Sequence, residues 1–129
     1  MMKLLIDTHL LLWATAQSPR LPRAAFRLIN DADNDLLFSV ASVWEYAVKY
    51  AKAPERFELP PHQLREVLLE NGYRELEISG KHVLAVSNLP RLHGDPFDRI
   101  LIAQAMVEGI TLLTTDEIVA RYEGPIRKV

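Results

Sequence analysis

The sequence has no cysteine, and that absence alone excludes disulfide stapling, thiolate zinc sites and cysteine nucleophiles. It has no excess of positive charge either: the formal net charge is −2 and the pI about 6.1, so the basic footprint usual for nucleic-acid binding is missing. That objection weakens if several acids are concentrated on bound cations, because a divalent ion inverts the local field felt by a phosphate. A membrane-length apolar run is also lacking. Lys3, the leucines Leu4, Leu5 and Leu10 to Leu12, and Ala14-Thr15-Ala16 imitate a signal peptide, but Asp7 and His9 interrupt the apolar stretch, and nothing else approaches the roughly 20 residues of a span. Repeats and low-complexity segments are absent. What is present is a 129-residue chain that is 49% hydrophobic and 25% charged, the mix of an ordinary globular protein. The expectation is one soluble, cytoplasmic domain, residues 1–129, with a single core and no membrane association.

Lys3 to Ile6 reads as a buried strand that hands over at Asp7-Thr8 to a helix carrying Leu10 to Ala14. Ser18 to Pro22 is a turn, and Ala24, Ala25, Leu28, Ile29 and Ala32 follow helical spacing. Leu36 to Ser39 is a second strand. Ser39 or Ser42 then caps a helix through Val43, Ala47, Val48 and Ala51 that ends at Ala53-Pro54. Pro60-Pro61 opens a further helix closed by Asn71-Gly72, Tyr73 to Ile78 alternates as a strand, and Ser79 starts a helix toward Asn88. Gly94-Asp95-Pro96 is the sharpest helix start, with Asp95 as N-cap, proline at the first helical position and Asp98 in the first turn. That helix runs to about Glu108, where Gly109 stops it. Ile110 to Thr114 is a last buried strand, Thr115-Asp116 begins a short helix, and Gly124-Pro125 leads into a tail. Strands alternating with helices predict an α/β fold with a parallel sheet.

In open parallel sheets, ligands gather beyond the carboxyl ends of the strands. Asp7, Asp98 and Asp116 all fall just past predicted strands or at nearby helix starts, and Glu45 projects from the helix after the second strand. Four carboxylates in one cleft repel unless cations neutralise them. Hard oxygen donors suit Mg2+ or Mn2+, which keep several waters and bridge to substrate phosphates, so a phosphodiester is the implied substrate. A metal-activated water attacking in line requires no protein nucleophile.

At this point the sequence resembles the PIN domain family, and within it the VapC-type toxins of toxin-antitoxin pairs. Leu4-Leu5-Ile6-Asp7-Thr8-His9 resembles the family's opening strand and first catalytic aspartate, and Ser39 to Glu45 its second motif, ending in glutamate. Asp95-Pro96-Phe97-Asp98 with the run to Ala105 resembles the third motif, and Thr114-Thr115-Asp116 the fourth. The resemblance covers nearly the whole chain. It implies a PIN-like three-layer sandwich, a central and mostly parallel sheet flanked by helices. It also implies endoribonuclease activity dependent on Mg2+ or Mn2+, a homodimer, and a cognate antitoxin that covers the cleft. Asp7, Glu45 and Asp98 are then metal ligands, with Asp116 an outer contributor to the same catalytic, metal-binding set.

Each acid also has a plainer reading. Asp95 and Asp98 are a helix cap and a first-turn charge, Asp116 is a helix start, and Glu45 with Lys49 is a solvated pair one turn apart. Asp7 has no structural partner except the helix amides, so the functional case rests on the set. The histidines His9, His62, His82 and His93 lack mutual ligand spacing and read as surface or satisfied structural residues. His9 and Arg99 are placed either to contact phosphate or to support the acids. Arg20, Arg23, Arg27, Lys49, Lys52 and Arg56 are a basic rim or a solvated face, the latter favoured. Trp13, Trp44 and Tyr46 favour core or dimer-interface packing over base stacking. Among rivals, a haloacid-dehalogenase-like phosphatase needs a second aspartate where His9 stands, and this chain lacks the length for a flap nuclease's helical arch. A phospho-receiver needs a phosphoacceptor aspartate after its third strand and a lysine after its fifth, neither of which is evident here, leaving a non-catalytic PIN-like dimeric binding module as the alternative.

Overall fold

In the computed structural model, which describes residues 1–129, the chain forms a five-stranded sheet with six α-helices. The strands are β1 (Lys3–Ile6), β2 (Asp35–Ser39), β3 (Arg74–Leu76), β4 (Thr111–Thr114) and β5 (Ile126–Lys128). Their order is β3-β2-β1-β4-β5, and every pairing is parallel. The helices are α1 (Thr8–Thr15), α2 (Arg23–Ile29), α3 (Val40–Lys52), α4 (Pro61–Glu70), α5 (Gly80–Val86) and α6 (Pro96–Glu108). None is long and apolar enough to cross a membrane.

Side-chain alternation along the strands builds the layers. On β1, Leu4 and Ile6 join Phe38, Leu10, Tyr46, Leu64 and Leu68 on the face covered by α1 to α4. Leu5 points the other way, into a cluster with Leu37, Leu112 and the α6 residues Leu101 and Ile102. A sheet with both faces covered needs strands with an apolar centre on both faces, as Leu4 to Ile6 of β1 and Leu112-Leu113 of β4 supply. The three-layer sandwich is therefore as expected, and the sheet is wholly rather than mostly parallel.

Helix boundaries follow their caps. Ser39, not Ser42, caps α3 by accepting from Ala41 N at 3.0 Å, while Ser42 reaches across to Thr8. Ser79 and His82 form a reciprocal capping box at the start of α5. Asp95 accepts from Phe97 N and Asp98 N, and Pro96 occupies the first helical position of α6. Gly109 ends that helix in the left-handed conformation, φ +66°, which costs glycine no steric clash.

Three expectations are revised. The tail past Gly124-Pro125 is the edge strand β5, held by Leu112 N donating to Pro125 O and Val129 N to Thr114 O. The helix after Thr115-Asp116 is one 3-10 turn, Val119–Arg121. The alternating stretch from Tyr73 to Ile78 yields only the three-residue β3.

Candidate active site

The strand order reverses beside β1: the chain moves to β2 and β3 on one side, then to β4 and β5 on the other. The crevice beyond the carboxyl ends of β1 and β4 is thus the topological switch point. Asp7 follows β1 directly, and Thr114 closes β4. Thr114 Oγ1 donates to Asp7 Oδ2 at 2.7 Å and accepts from Asp116 N at 3.0 Å, so one buried hydroxyl ties the first acid to the last. Although Asp7 stands at the N-cap position of α1, its side chain makes no capping bond there. The plainer reading of Asp7 as a cap is therefore lost, and its carboxylate faces the crevice.

Glu45 is delivered by α3. The Ser39 cap fixes where that helix begins, and Thr8 Oγ1 donates to Ser42 Oγ at 2.8 Å, tying α3 to the start of α1. Ser42 and Glu45 are three residues apart and both buried, hence on the same helix face. Glu45 is only 4% exposed. Its Oε2 accepts from Lys49 Nζ at 2.9 Å, but Oε1 is buried without any hydrogen-bond partner. The solvated-pair reading thus holds for Lys49 and fails for Glu45.

Asp98, in the first turn of α6, completes the cluster. Burial, then the charges of Asp7 and Asp95, push its carboxyl from 3.8 up to about 7, against the opposing pull of His93. Asp7 is likewise raised by burial, with Thr114 and His9 opposing and Glu45 adding to the rise. The charge of Glu45 acts on Asp7, and that of Asp7 on Asp98, so Asp7 is the carboxylate that links the other two. Asp116 lies at the rim, where its Oδ1 accepts from Ile118 N and Val119 N, so it also starts the 3-10 turn.

His93, by sequence a surface or structural histidine, lies in the site. Its Nε2 shares a 2.7 Å hydrogen bond with Asp98 Oδ2 and lies 3.8 Å from Asp116 Oδ2. No ligand-like spacing in the chain signals this. Arg99 makes no salt bridge to the acids; its guanidinium donates to Val86 O, Pro90 O and Tyr122 Oη instead. His82, by contrast, is a satisfied structural histidine, bonded to Ser79 and Glu108. Trp44 is 57% exposed, edge-on to Phe97 with centroids 4.8 Å apart, not packed in the core. Tyr46 is buried as expected.

A cavity of about 880 Å3 lies elsewhere, among α1, α2 and Tyr73, and holds none of the four acids. What marks the candidate site is convergence of carboxylates, because nothing structural is gained from massing like charges in a buried crevice.

Comparison with known proteins finds relatives in sequence and in fold. Ribonuclease VapC22 of Mycobacterium tuberculosis is 29% identical over 131 residues, spanning 97% of this chain and 95% of that protein. The fold is similar to VapBC2 from Rickettsia felis bound to a promoter DNA fragment, at TM-score 0.70 and 16% identity, covering 98% of both chains. It is also similar to DNA-bound VapBC from Salmonella typhimurium, at TM-score 0.66 and 17% identity, covering 99% of this chain and 98% of that one. Residues 4–125 match the PIN domain, and the chain belongs to that family.

Proposed function

We propose that this protein is a divalent-metal-dependent endoribonuclease, the toxin of a VapBC-type pair, acting in the cytoplasm as one PIN domain. The observation that carries the reading is Glu45 Oε1, a buried carboxylate oxygen with no partner, whose charge acts on Asp7, while burial and neighbouring carboxylates hold both Asp7 and Asp98 above their ordinary range. A carboxylate cleft so short of positive charge fits a hard cation. Asp7, Glu45 and Asp98 would hold it, with Asp116 contributing from the rim. A bound Mg2+ or Mn2+ supplies Lewis-acid stabilisation of the phosphodiester and a water activated for in-line attack. The chain's own part is positional. Thr114 orients Asp7, the Ser39 cap and the Thr8–Ser42 bond orient Glu45, and the Asp95 cap fixes the turn bearing Asp98.

The antitoxin and the homodimer are proposed on the resemblance to VapC toxins and the fold shared with VapBC assemblies. The partner-free protein, incubated with mixed structured RNA and Mg2+ or Mn2+, is expected to cleave it to 5′-phosphate and 3′-hydroxyl ends. Cleavage should vanish with chelator and in Asp7→Asn and Asp98→Asn variants that remain folded. Equal behaviour of all three proteins would identify the acids as a binding surface and leave the non-catalytic module standing.

A further inference from the structure

Of the residues in the cleft, His93 is the one that an all-carboxylate cation site leaves without a task. Its ring is held beside the acids by a frame of its own. His93 N donates to Tyr122 Oη at 2.9 Å, and the same hydroxyl accepts from Arg99 Nη1 at 3.1 Å. The Arg99 guanidinium also donates to Val86 O, Pro90 O and His93 O. Arg99 follows Asp98 in the chain, so the helical turn that carries the acid also pins the loop that carries the histidine. Where a histidine is merely structural in this protein, as at position 82, its nitrogens serve a helix cap and a glutamate outside the cleft. The His93 ring has only Asp98 and Asp116 as side-chain partners.

We propose that His93 is a nitrogen ligand of the cation site, acting with Asp98 and Asp116, and that this mixed donor set favours transition ions such as manganese over magnesium. The inference rests on the reading of the acid cleft as a metal site. The three ligand atoms, one per residue, all lie within 4.8 Å of one another. Ligands sharing one ion at roughly 2.0–2.2 Å sit no more than about 4.4 Å apart, so the set closes on an ion with a shift of a few tenths of an ångström. An ion would replace the proton that His93 Nε2 and Asp98 Oδ2 share, the tautomer protonated at Nδ1 then offering the Nε2 lone pair to it. Imidazole is a softer donor than carboxylate, and magnesium prefers oxygen and water, so replacing one oxygen by nitrogen moves selectivity toward the transition series.

The test uses Mn2+ itself as the probe. Electron spin-echo spectra of the Mn2+-loaded wild-type protein are expected to show modulation from a directly bound 14N, absent from His93→Gln and His93→Ala. Calorimetric titration with each ion should show manganese affinity falling roughly ten-fold or more in both variants, with magnesium affinity changing much less. Manganese bound without nitrogen modulation in the wild type would overturn the inference, with no reliance on any variant's folding. A parallel loss of affinity for both ions would also overturn it, reducing His93 to a positioning residue. No cation binding that depends on Asp7 would overturn the metal reading as well, so the two failures are distinguishable.

Discussion

Replacing Asp98 by asparagine should stabilise the metal-free protein while abolishing its activity, and the stabilisation should depend on pH. Folding raises this carboxyl from 3.8 to about 7, so between those values the folded state binds the proton more tightly than the unfolded chain. Stability that is fully present below about pH 4 is therefore lost as pH rises through about 7. The change spans roughly three pH units, at ~1.4 kcal/mol each, a ceiling of ~4 kcal/mol. The carboxyl lies close enough to solvent for screening to reduce this to about 2 kcal/mol. For a chain of this length, with an unfolding entropy of about 2 cal/mol/K per residue, that is roughly 7 °C in Tm. Asparagine keeps the shape and a polar partner for His93 Nε2, and it removes the charge that the neighbouring Asp7 and Asp95 oppose.

Thermal unfolding in chelator should then show Asp98→Asn melting above wild type at pH 8, with the gap closing toward pH 4.5. Saturating Mg2+ should invert the order, because an ion at about 100 times its Kd stabilises the folded wild type by ~2.7 kcal/mol and has lost a ligand in the variant. A variant less stable than wild type at pH 8 in chelator, or a gap that does not change with pH, would refute the reasoning. Asp98 would then be an ordinary first-turn helix charge.

Thr114→Val removes both the donor to Asp7 and the acceptor for Asp116 N at a fully buried position, so stability should fall by about 1–3 kcal/mol and calorimetric cation affinity roughly 10- to 100-fold. Gly109→Ala places a Cβ at φ +66° where no neighbouring atom obstructs it, so urea denaturation should register only the backbone cost, about 1 kcal/mol, and less for Gly109→Asn. Trp44→Ala should cost no more than about 1.5 kcal/mol, the scale of one aromatic pair, whereas Phe38→Ala in the core should cost about 3–5 kcal/mol.

The parts of the fold legible in the sequence are those whose stabilising groups are neighbours in the chain. The Asp95-Pro96 start of α6 and its Gly109 stop are local hydrogen-bonding devices, visible without tertiary structure, and the start of α3 is narrowed the same way to Ser39 or Ser42. The apolar strands β1 and β4 are buried on both faces, so they read as continuous runs. The edge strand β5 was not legible because it offers only Ile126 as an apolar residue and is held by backbone bonds to β4, which no side-chain pattern reports. β3 falls short of its alternating pattern for a related reason: it is the other edge, bonded to β2 alone.

The site divides along the same line. The four acids were legible because each stands at a strand end, on a helix that follows one or in a cap, and the parallel topology that gathers such positions could itself be read from alternating elements. His93 was not, because its place depends on a fold-back in which Arg99 and Tyr122 clamp the loop before α6, and Tyr122 is distant in the chain. The exposure of Trp44, which the sequence assigns to core or dimer-interface packing, has the opposite cause. Helical spacing of apolar residues identifies a stripe but not its edges, and one step along α3 separates the buried Glu45 from an exposed indole. Glu45 sits on the buried side of α3 with one oxygen unpaired, and the exposed residue beside it is an apolar tryptophan. A helix selected for stability alone would exchange those two positions, burying the indole and solvating the acid. That α3 does the reverse is a physical reason to regard this face of the molecule as shaped by the chemistry of the cleft.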